Sequence, residues 1–279
     1  MREPKTNTSQ DGQRPSIAPQ SAEIFNIRLS RVSLEDVKRI FADRIERRIP
    51  GFVVTPNVDH VCLCYHNPRF REAYSRAFLH FTDGTPVLWA ARLFGEEIPE
   101  KLSGSDMLPV LSEWAAMQGY SIFLLGGTPG TADKSAEVLR ERFPGLRIAG
   151  VNCPPYGFED DPRKIQEVID HLRAARPDIC FVGLGAPKQE LFMNHYRDAA
   201  GVPVMMGVGG SFDFVAGRTR RAPGWIQDLG VEWLWRLSMD PRRLWRRYLV
   251  DDMVFFKLLY LEFNRRLRRF LPAAKRTPH

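Results

Sequence analysis

The chain has 279 residues, of which 44% are hydrophobic and 26% are charged. This composition excludes a collagen-like, mucin-like or wholly disordered protein, and the length is sufficient for one large α/β domain. The net charge of +7 is concentrated at the end, because residues 236–279 carry +8 and the rest of the chain carries −1. A near-neutral body with a basic tail argues against a general nucleic-acid-binding surface and favours one localised anionic partner.

The first 21 residues are polar and rich in Ser, Pro, Gln and Thr, which predicts a disordered leader without the apolar core of a signal peptide. No segment has about 18 uninterrupted apolar residues, so we expect no transmembrane helix. A helix is predicted over residues 34–48, because Ser33 can cap it, Asp36 can complete a capping box and apolar residues recur at helical spacing.

Short apolar runs then alternate with helical patterns. The runs predict strands at 52–57, 80–84, 121–127, 147–152, 178–185 and 203–210. The intervening patterns predict helices at 68–79, 106–118, 132–143, 162–175 and 189–198. This alternation predicts an α/β fold with a mostly parallel sheet and helices on both faces. Helices broken near Pro241 are expected from about residue 224 onward.

The four cysteines do not form the pattern of a disulfide scaffold or of a zinc site. Three of them lie in apolar runs that we interpret as strand-like, namely Cys62, Cys64 and Cys180, and Cys153 follows another run. Buried free thiols are therefore expected, and they favour a reducing cytoplasmic compartment.

Polar or glycine-rich motifs follow five of the predicted strands. In an open parallel sheet, ligands bind outside the carboxyl ends of the strands. We therefore expect the five motifs to converge on one crevice. They occupy residues 55–57, 83–84, 126–128, 185–189 and 207–211.

Two of these motifs are glycine loops that could hold phosphate. Gly126 and Gly127 stand between a strand and a helix, and Gly209 and Gly210 precede Ser211 in the second loop. Backbone amides can approach phosphate oxygens in such loops, although a tight turn without a ligand is an equal alternative for one loop alone. Two loops in one domain favour a diphosphate or nucleotide ligand. A Rossmann-type oxidoreductase or epimerase is the alternative, but the first strand ends in T-P-N, without the dinucleotide fingerprint.

Asp83 is the candidate general base, since a partly desolvated carboxylate beside a glycine can face a cleft. A turn aspartate that caps the next helix is the alternative. Asn57 and Gln189 suit sugar hydroxyls, with turn formation and helix N-capping as the alternative for both residues. Asp213, among apolar residues, is expected to be buried with a partner, either a ligand N–H or a backbone amide. The chain has no D-x-D motif and its histidines are scattered, so we expect neither a metal nor a cofactor. A departing diphosphate would then be met by backbone amides and by Lys or Arg.

The tail interleaves aromatic residues with arginines between Trp233 and Tyr248. This pattern is typical of a helix that lies on an anionic membrane surface. An amphipathic helix packed on the core and a nucleic-acid-binding segment are the alternatives, and the latter is disfavoured because no recognition module accompanies the charge.

Taken together and in order, the motifs resemble the WecG/TagA/CpsF glycosyltransferases, family 26 of the carbohydrate-active enzymes. The resemblance extends over residues 52–248 and rests on the segments 55–57, 82–86, 102–106, 123–127, 182–190, 207–214, 221–225, 232–237 and 241–243. It implies a Rossmann-like core over residues 22–230 and a membrane-associating appendage over 231–279. It also implies a metal-independent inverting transferase, peripheral at the cytoplasmic face of the membrane. Such an enzyme would move a sugar from a UDP-sugar to a polyprenyl-diphosphate-linked saccharide for exopolysaccharide, capsule or teichoic acid assembly.

The resemblance also implies roles for individual residues. Asp83 corresponds to the candidate base, and Thr55, Asn57 and Gln189 to residues that contact the acceptor and the sugar. The nucleotide-sugar pocket is expected to include Lys101, Gly126, Gly127, Gly185, Lys188, Gly209, Gly210, Ser211, Phe212 and Asp213. Arginines of the appendage, thought to meet the diphosphate, correspond to Arg236, Arg243 and Arg246.

One residue departs from the family pattern. Lys101 stands where many members have Arg, which keeps the charge but loses bidentate geometry and weakens any inference to an N-acetylmannosamine donor. The sequence leaves open the donor sugar, the acceptor glycan and whether the protein is a homo-oligomer. A non-catalytic, membrane-associated assembly protein also remains an alternative.

Overall fold

The computed structural model describes residues 19–270. Side chains at positions 227, 228, 243, 247, 269 and 270 lie outside this description, as do residues 1–18 of the predicted leader. The strands are β1 (Ser21–Ile24), β2 (Ile27–Ser30), β3 (Phe52–Val54), β4 (Leu79–His80), β5 (Ser121–Gly126), β6 (Arg147–Asn152), β7 (Ile179–Gly183) and β8 (Val204–Gly207).

The helices before the last strand are α1 (Leu34–Glu46), α2 (Val58–His66), α3 (Pro68–Ser75), α4 (Thr85–Leu93), α5 (Gly104–Gln118), α6 (Thr131–Arg142), α7 (Pro162–Ala175) and α8 (Lys188–Ala200). After it come α9 (Ser211–Val215), α10 (Gly224–Asp228), α11 (Glu232–Met239), α12 (Pro241–Leu249) and α13 (Val254–Phe270). Single 3-10 turns lie at Phe158–Asp160 and Asp251–Met253.

Six parallel strands form the central sheet in the order β4-β3-β8-β7-β5-β6. Alternate strand residues point to opposite faces: Val53 packs into one apolar layer, whereas Phe52 and Val54 pack into the other. Helices cover both layers, so the predicted α/β fold is confirmed. Except for β6, which has its predicted bounds, the strands are shorter than predicted, and most residues of the polar motifs therefore lie in the loops just beyond the strand ends.

Residues 19–46 confirm one local prediction and contain one element that was not predicted. The Ser33 hydroxyl accepts a hydrogen bond from the Asp36 N–H, and the Asp36 carboxylate accepts one from the Ser33 N–H, which confirms the capping box of α1. The antiparallel hairpin β1–β2 was not predicted. Its strands have four residues each, and the chain reverses through Phe25 and Asn26, which both have positive φ. Such short strands give little periodic signal.

Helices α2 and α4 were also not predicted. The apolar run at the start of α2 reads like a strand, but the Asn57 side chain accepts a hydrogen bond from the His60 N–H at 3.0 Å and starts a helix. Cys62 and Cys64 therefore lie on a helix, and their strand-like interpretation was wrong. The prediction of buried free thiols is confirmed for Cys62, Cys64 and Cys180, whereas Cys153 is free but half-buried.

Helix α13 packs on the N-terminal hairpin and is held there by a charged network. The Phe255 ring lies 5.3 Å from the Phe25 ring, and Phe255 is buried. The Arg266 guanidinium donates to the Glu262 carboxylate at 2.8 Å, to the Glu96 carboxylate at 3.0 Å and to the Phe94 carbonyl at 2.7 Å. These bonds fix α13 to the end of α4. Among the described helices, none combines the length and the apolar character needed to cross a membrane.

Replacing Arg266 by Met should lower the free energy of unfolding by about 1 kcal/mol, because it removes the hydrogen bonds that join Glu262 to Glu96 and to the Phe94 carbonyl. The loss is limited because Arg31 still pairs with Glu96 and Arg265 still pairs with Glu262. Urea denaturation followed by circular dichroism measures this change. Arg268→Met on the same helix is the matched control, since Arg268 is exposed. Equal stability of the two variants would show that the network does not hold α13.

Candidate active site

Two cavities meet where the parallel strands end. The polar cavity, of about 510 Å³, is lined by the loops after β3, β7 and β8 and by residues of α11 and α12. The apolar groove, of about 920 Å³, lies between α4 and the segment that contains α11, α12 and α13. The residues that line both cavities are Asn57, Asp59, Asp83, Arg236 and Tyr248. The expected convergence of strand ends therefore occurs for the β3, β4, β7 and β8 loops.

Asp83 lies at this junction, three residues beyond the end of β4. Its backbone N–H donates to the Pro56 carbonyl at 2.8 Å. Burial raises the pKa of the Asp83 carboxyl to about 6, although the positive charge of Arg236 and hydrogen bonds from the Ser103 hydroxyl and the Gly104 N–H oppose the shift. The carboxyl can therefore accept a proton near neutral pH.

Arg236 brings a cation from the tail to the same place. Helix α11 carries it beside Glu232, whose carboxylate accepts hydrogen bonds from Nη2 at 2.7 Å and Nε at 3.1 Å. The guanidinium carbon also lies 5.2 Å from the centre of the Phe214 ring. These contacts orient Arg236 toward the junction, where an anionic ligand would meet its charge.

Gln189 lies in the first turn of α8, and both polar atoms of its side-chain amide form hydrogen bonds. Its carbonyl accepts from the Gly209 N–H at 3.1 Å, and its Nε2 donates to the Glu190 carboxylate at 2.7 Å. A side chain at Gly207 would collide with this amide. The fully buried Glu190 thus positions Gln189 in the wall of the polar cavity, and burial raises the pKa of Glu190 to about 7.

Most of the remaining predicted residues line the polar cavity. Thr55, Gly185, Gly209, Gly210, Ser211 and Asp213 do so. Asp213 is half-buried, so the expectation that it is buried was wrong. Phe212 lies beneath the cavity wall, fully buried against Gly127 and Gly183. These loops offer backbone groups and a carboxylate to a ligand.

Several predicted residues lie elsewhere among the described residues. Gly126 and Gly127 line neither cavity, and the Gly127 N–H donates to the Gly183 carbonyl at 2.8 Å. Lys188 lines neither cavity and forms an ion pair with Glu159. Lys101 lines the apolar groove instead of the polar cavity. Arg246 is exposed and lines neither, and the side chain of Arg243 lies outside the described residues.

Sequence reasoning missed several residues of the site. Arg218 lines the polar cavity and its Nη1 donates to the Thr128 and Thr131 hydroxyls at 2.7 and 2.6 Å. Glu232 and Ser103, which contact Arg236 and Asp83, were also missed. The basic run at 218–221 after the S-F-D-F segment was the available signal for Arg218. Within residues 19–270, no cluster of three or more His, Cys, Asp or Glu side chains is arranged to hold a metal ion.

Comparison with known proteins gives a consistent family. A family model described as the glycosyl transferase WecG/TagA/CpsF family matches residues 22–269. A protein of Bacillus spizizenii named N-acetylglucosaminyldiphosphoundecaprenol N-acetyl-beta-D-mannosaminyltransferase is 34% identical over 71% of this chain and 75% of its own length. A protein of Staphylococcus aureus (strain MW2) with the same name is 29% identical over 76% of this chain and 81% of its own.

Proposed function

Because the chain belongs to the WecG/TagA/CpsF family of glycosyltransferases, we propose that it moves a sugar from a UDP-sugar to a polyprenyl-diphosphate-linked saccharide. The observation that carries this proposal is the position of Asp83, which lies where a polar cavity meets an apolar groove. A nucleotide-sugar fits the polar cavity. A lipid-linked acceptor needs both a polar surface and an apolar surface. The product would serve the assembly of a cell-surface polysaccharide.

The proposed reaction is a direct displacement with inversion. The Asp83 carboxylate removes the proton from an acceptor hydroxyl as its oxygen attacks the anomeric carbon of the donor. The bond between that carbon and the UDP oxygen breaks, and UDP departs on the opposite face. The guanidinium of Arg236 supplies the positive charge that stabilises the departing diphosphate.

The polar cavity is proposed to hold the donor. Gly185 and the loop at Gly209 and Gly210 leave backbone groups accessible at its wall, and Arg218 and Arg220 contribute positive charge. Gln189, fixed by Gly209 and Glu190, presents its amide to the sugar hydroxyls. No residue of this set requires a metal for its role, so we propose that donor binding is metal-independent.

Calorimetric titration in the presence of EDTA tests the donor. The ligands to be titrated are UDP, UDP-N-acetylmannosamine, UDP-N-acetylglucosamine and NADH. UDP-N-acetylmannosamine is included because the relatives are named as N-acetylmannosaminyltransferases. We expect UDP and one UDP-sugar to bind without metal. Transfer is then measured onto N-acetylglucosaminyl diphosphate linked to a prenyl chain. Binding of NADH alone, or no transfer with any UDP-sugar in the presence of anionic vesicles, would contradict the proposal.

We also propose that the outer face of α12 rests on an anionic membrane surface, at the cytoplasmic side, as a peripheral contact. Trp245 on α12 and Val250, which directly follows this helix, are each 51% exposed, and Arg242 and Arg246 on α12 are also exposed. Aromatic and aliphatic side chains flanked by cations suit the interface of anionic lipids, where each cation contributes about 1 kcal/mol.

Replacing both Trp245 and Val250 by Glu should abolish most binding to phosphatidylglycerol vesicles, because it removes the apolar contact and adds negative charge. Vesicle co-sedimentation measures the bound fraction. The control pair is Met117→Glu with Tyr156→Glu, since both residues are highly exposed but lie outside the tail. Undiminished binding by the first pair would place the membrane contact elsewhere.

A further inference from the structure

We propose that the apolar groove binds the isoprenoid chain of the acceptor and that Lys101 meets the acceptor's diphosphate. This inference rests on the proposed function and names the lipid subsite of the same site. It assigns the acceptor an order along the surface: the saccharide at Asp83, the diphosphate near Lys101, and the hydrocarbon along the groove.

The groove has a chemistry that suits a hydrocarbon chain. One wall is formed by α4, with Trp89, Ala90 and Leu93, and the opposite wall by Leu249, Phe256 and Leu259 near or on α13. Leu93 and Phe256 are 65% and 62% exposed, so large apolar groups face solvent inside a concave surface. Such a surface is typical of an apolar ligand site, and the volume of about 920 Å³ lies within the usual range for one.

The polar residues where the groove meets the polar cavity indicate which ligand the groove binds. It closes on polar residues, and Asp83 and Arg236 there belong also to the polar cavity. Lys101 lines the groove but not the polar cavity, so this residue lies on the groove side of Asp83. A ligand that fills this space must be apolar along most of its length and anionic next to the base. A prenyl diphosphate has this distribution, whereas a phospholipid has no saccharide to offer Asp83.

The wall of the apolar groove that α13 forms is held in place by contacts at both ends of this helix. Helix α13 is anchored at its far end by the Arg266 network and at its start by buried Phe255 and Leu258. The exposed side chains of Met253 and Phe256 are thereby held opposite α4. A preformed groove lowers the entropic cost of ordering a flexible chain.

The test uses N-acetylglucosaminyl diphosphate linked to a farnesyl chain with a terminal diazirine, without vesicles and below its micellar concentration. Irradiation of the full-length protein should label peptides from α4 and from residues 249–259, in a saturable manner. The same probe with a single isoprene unit should bind at least about tenfold more weakly, since it buries fewer methylene groups.

Matched variants on exposed positions keep the test independent of folding. Leu93→Asp with Phe256→Asp alters the groove, whereas Phe263→Asp with Leu267→Asp alters residues of α13 that do not line it. The first pair should abolish the affinity difference between the two probes, and the second pair should retain it. Lys101→Gln should weaken both probes alike, because both carry the diphosphate.

Each outcome decides the inference. Labelling outside α4 and residues 249–259, or an affinity that does not depend on chain length, would overturn it even if sugar transfer occurs. Loss of a dimer by the Leu93 and Phe256 pair, with unchanged probe affinity, would identify a second copy as the occupant and also overturn it. Saturable labelling of the groove without any sugar transfer would support the lipid subsite while contradicting the proposed function.

Discussion

Replacing Asp83 by Asn should abolish sugar transfer while making the folded protein more stable at neutral pH. Loss of a general base typically costs a factor of about 10² to 10⁴ in rate. An amide cannot take the proton from the acceptor hydroxyl, but it can still accept the hydrogen bonds from Ser103 and Gly104 that hold Asp83 in place. Transfer assays at saturating UDP-sugar measure kcat.

The stability gain follows from the direction of the pKa shift. The Asp83 carboxyl has a pKa of about 6 in the folded protein and about 3.8 when unfolded. The folded state therefore binds this proton more tightly, and stability falls as the pH rises from about 4 to about 6. Above that window the charged, desolvated carboxylate costs on the order of 3 kcal/mol, which the Asn variant avoids. Urea denaturation at pH 5 and at pH 7.5 measures the difference.

Asp198→Asn is the matched control for both measurements, because the Asp198 side chain is 77% exposed. It should change neither kcat nor stability at pH 7.5. The wild-type kcat/KM should also fall below about pH 6, as Asp83 becomes protonated. Retained transfer by the Asp83 variant would exclude this residue as the base, and a lower stability would show that its burial is not the cause of the raised pKa.

Replacing Arg236 by Gln should lower kcat by about 10² to 10³, because the diphosphate leaves without its preorganised cation. The same change should move the acid limb of the pH profile upward, since the charge of Arg236 lowers the pKa of Asp83 against the effect of burial. Transfer rates from pH 5 to pH 9 measure both effects. If Arg236 had only a structural role, its replacement would not change the pH at which activity falls on the acid side.

The Arg246→Gln variant tests whether Arg246 contacts the diphosphate, as the family resemblance implies, or lies away from the site, as in the structure. The family resemblance assigns both arginines to the diphosphate, but Arg236 lines both cavities and Arg246 is exposed and lines neither. We therefore expect a much smaller loss of kcat for Arg246→Gln in the absence of vesicles. Equal losses would indicate that α12 reorients when substrate binds.

The pattern of apolar and polar residues in the sequence was sufficient to predict the central sheet and part of the candidate active site. Five of the six apolar runs contain one strand of the parallel sheet, and the run at 80–84 overlaps β4 only at His80. The agreement arises because buried strands need apolar side chains on both faces. The rule that ligands bind beyond the carboxyl ends of parallel strands predicts that Thr55, Asn57 and Asp83 lie together, and all three line the polar cavity. Helix α2 was missed because its apolar run is strand-like until the Asn57 cap is considered.

The sequence by itself determined the fold class, the candidate base and the concentration of positive charge in the tail, since these depend on local composition and on the order of motifs. Only the tertiary structure decided that Arg236 faces Asp83, that Glu190 holds Gln189, and that Lys101 belongs to the groove. These contacts join residues far apart in the chain, or depend on which face a helix presents. Packing of whole helices fixes such geometry, and no local pattern encodes it.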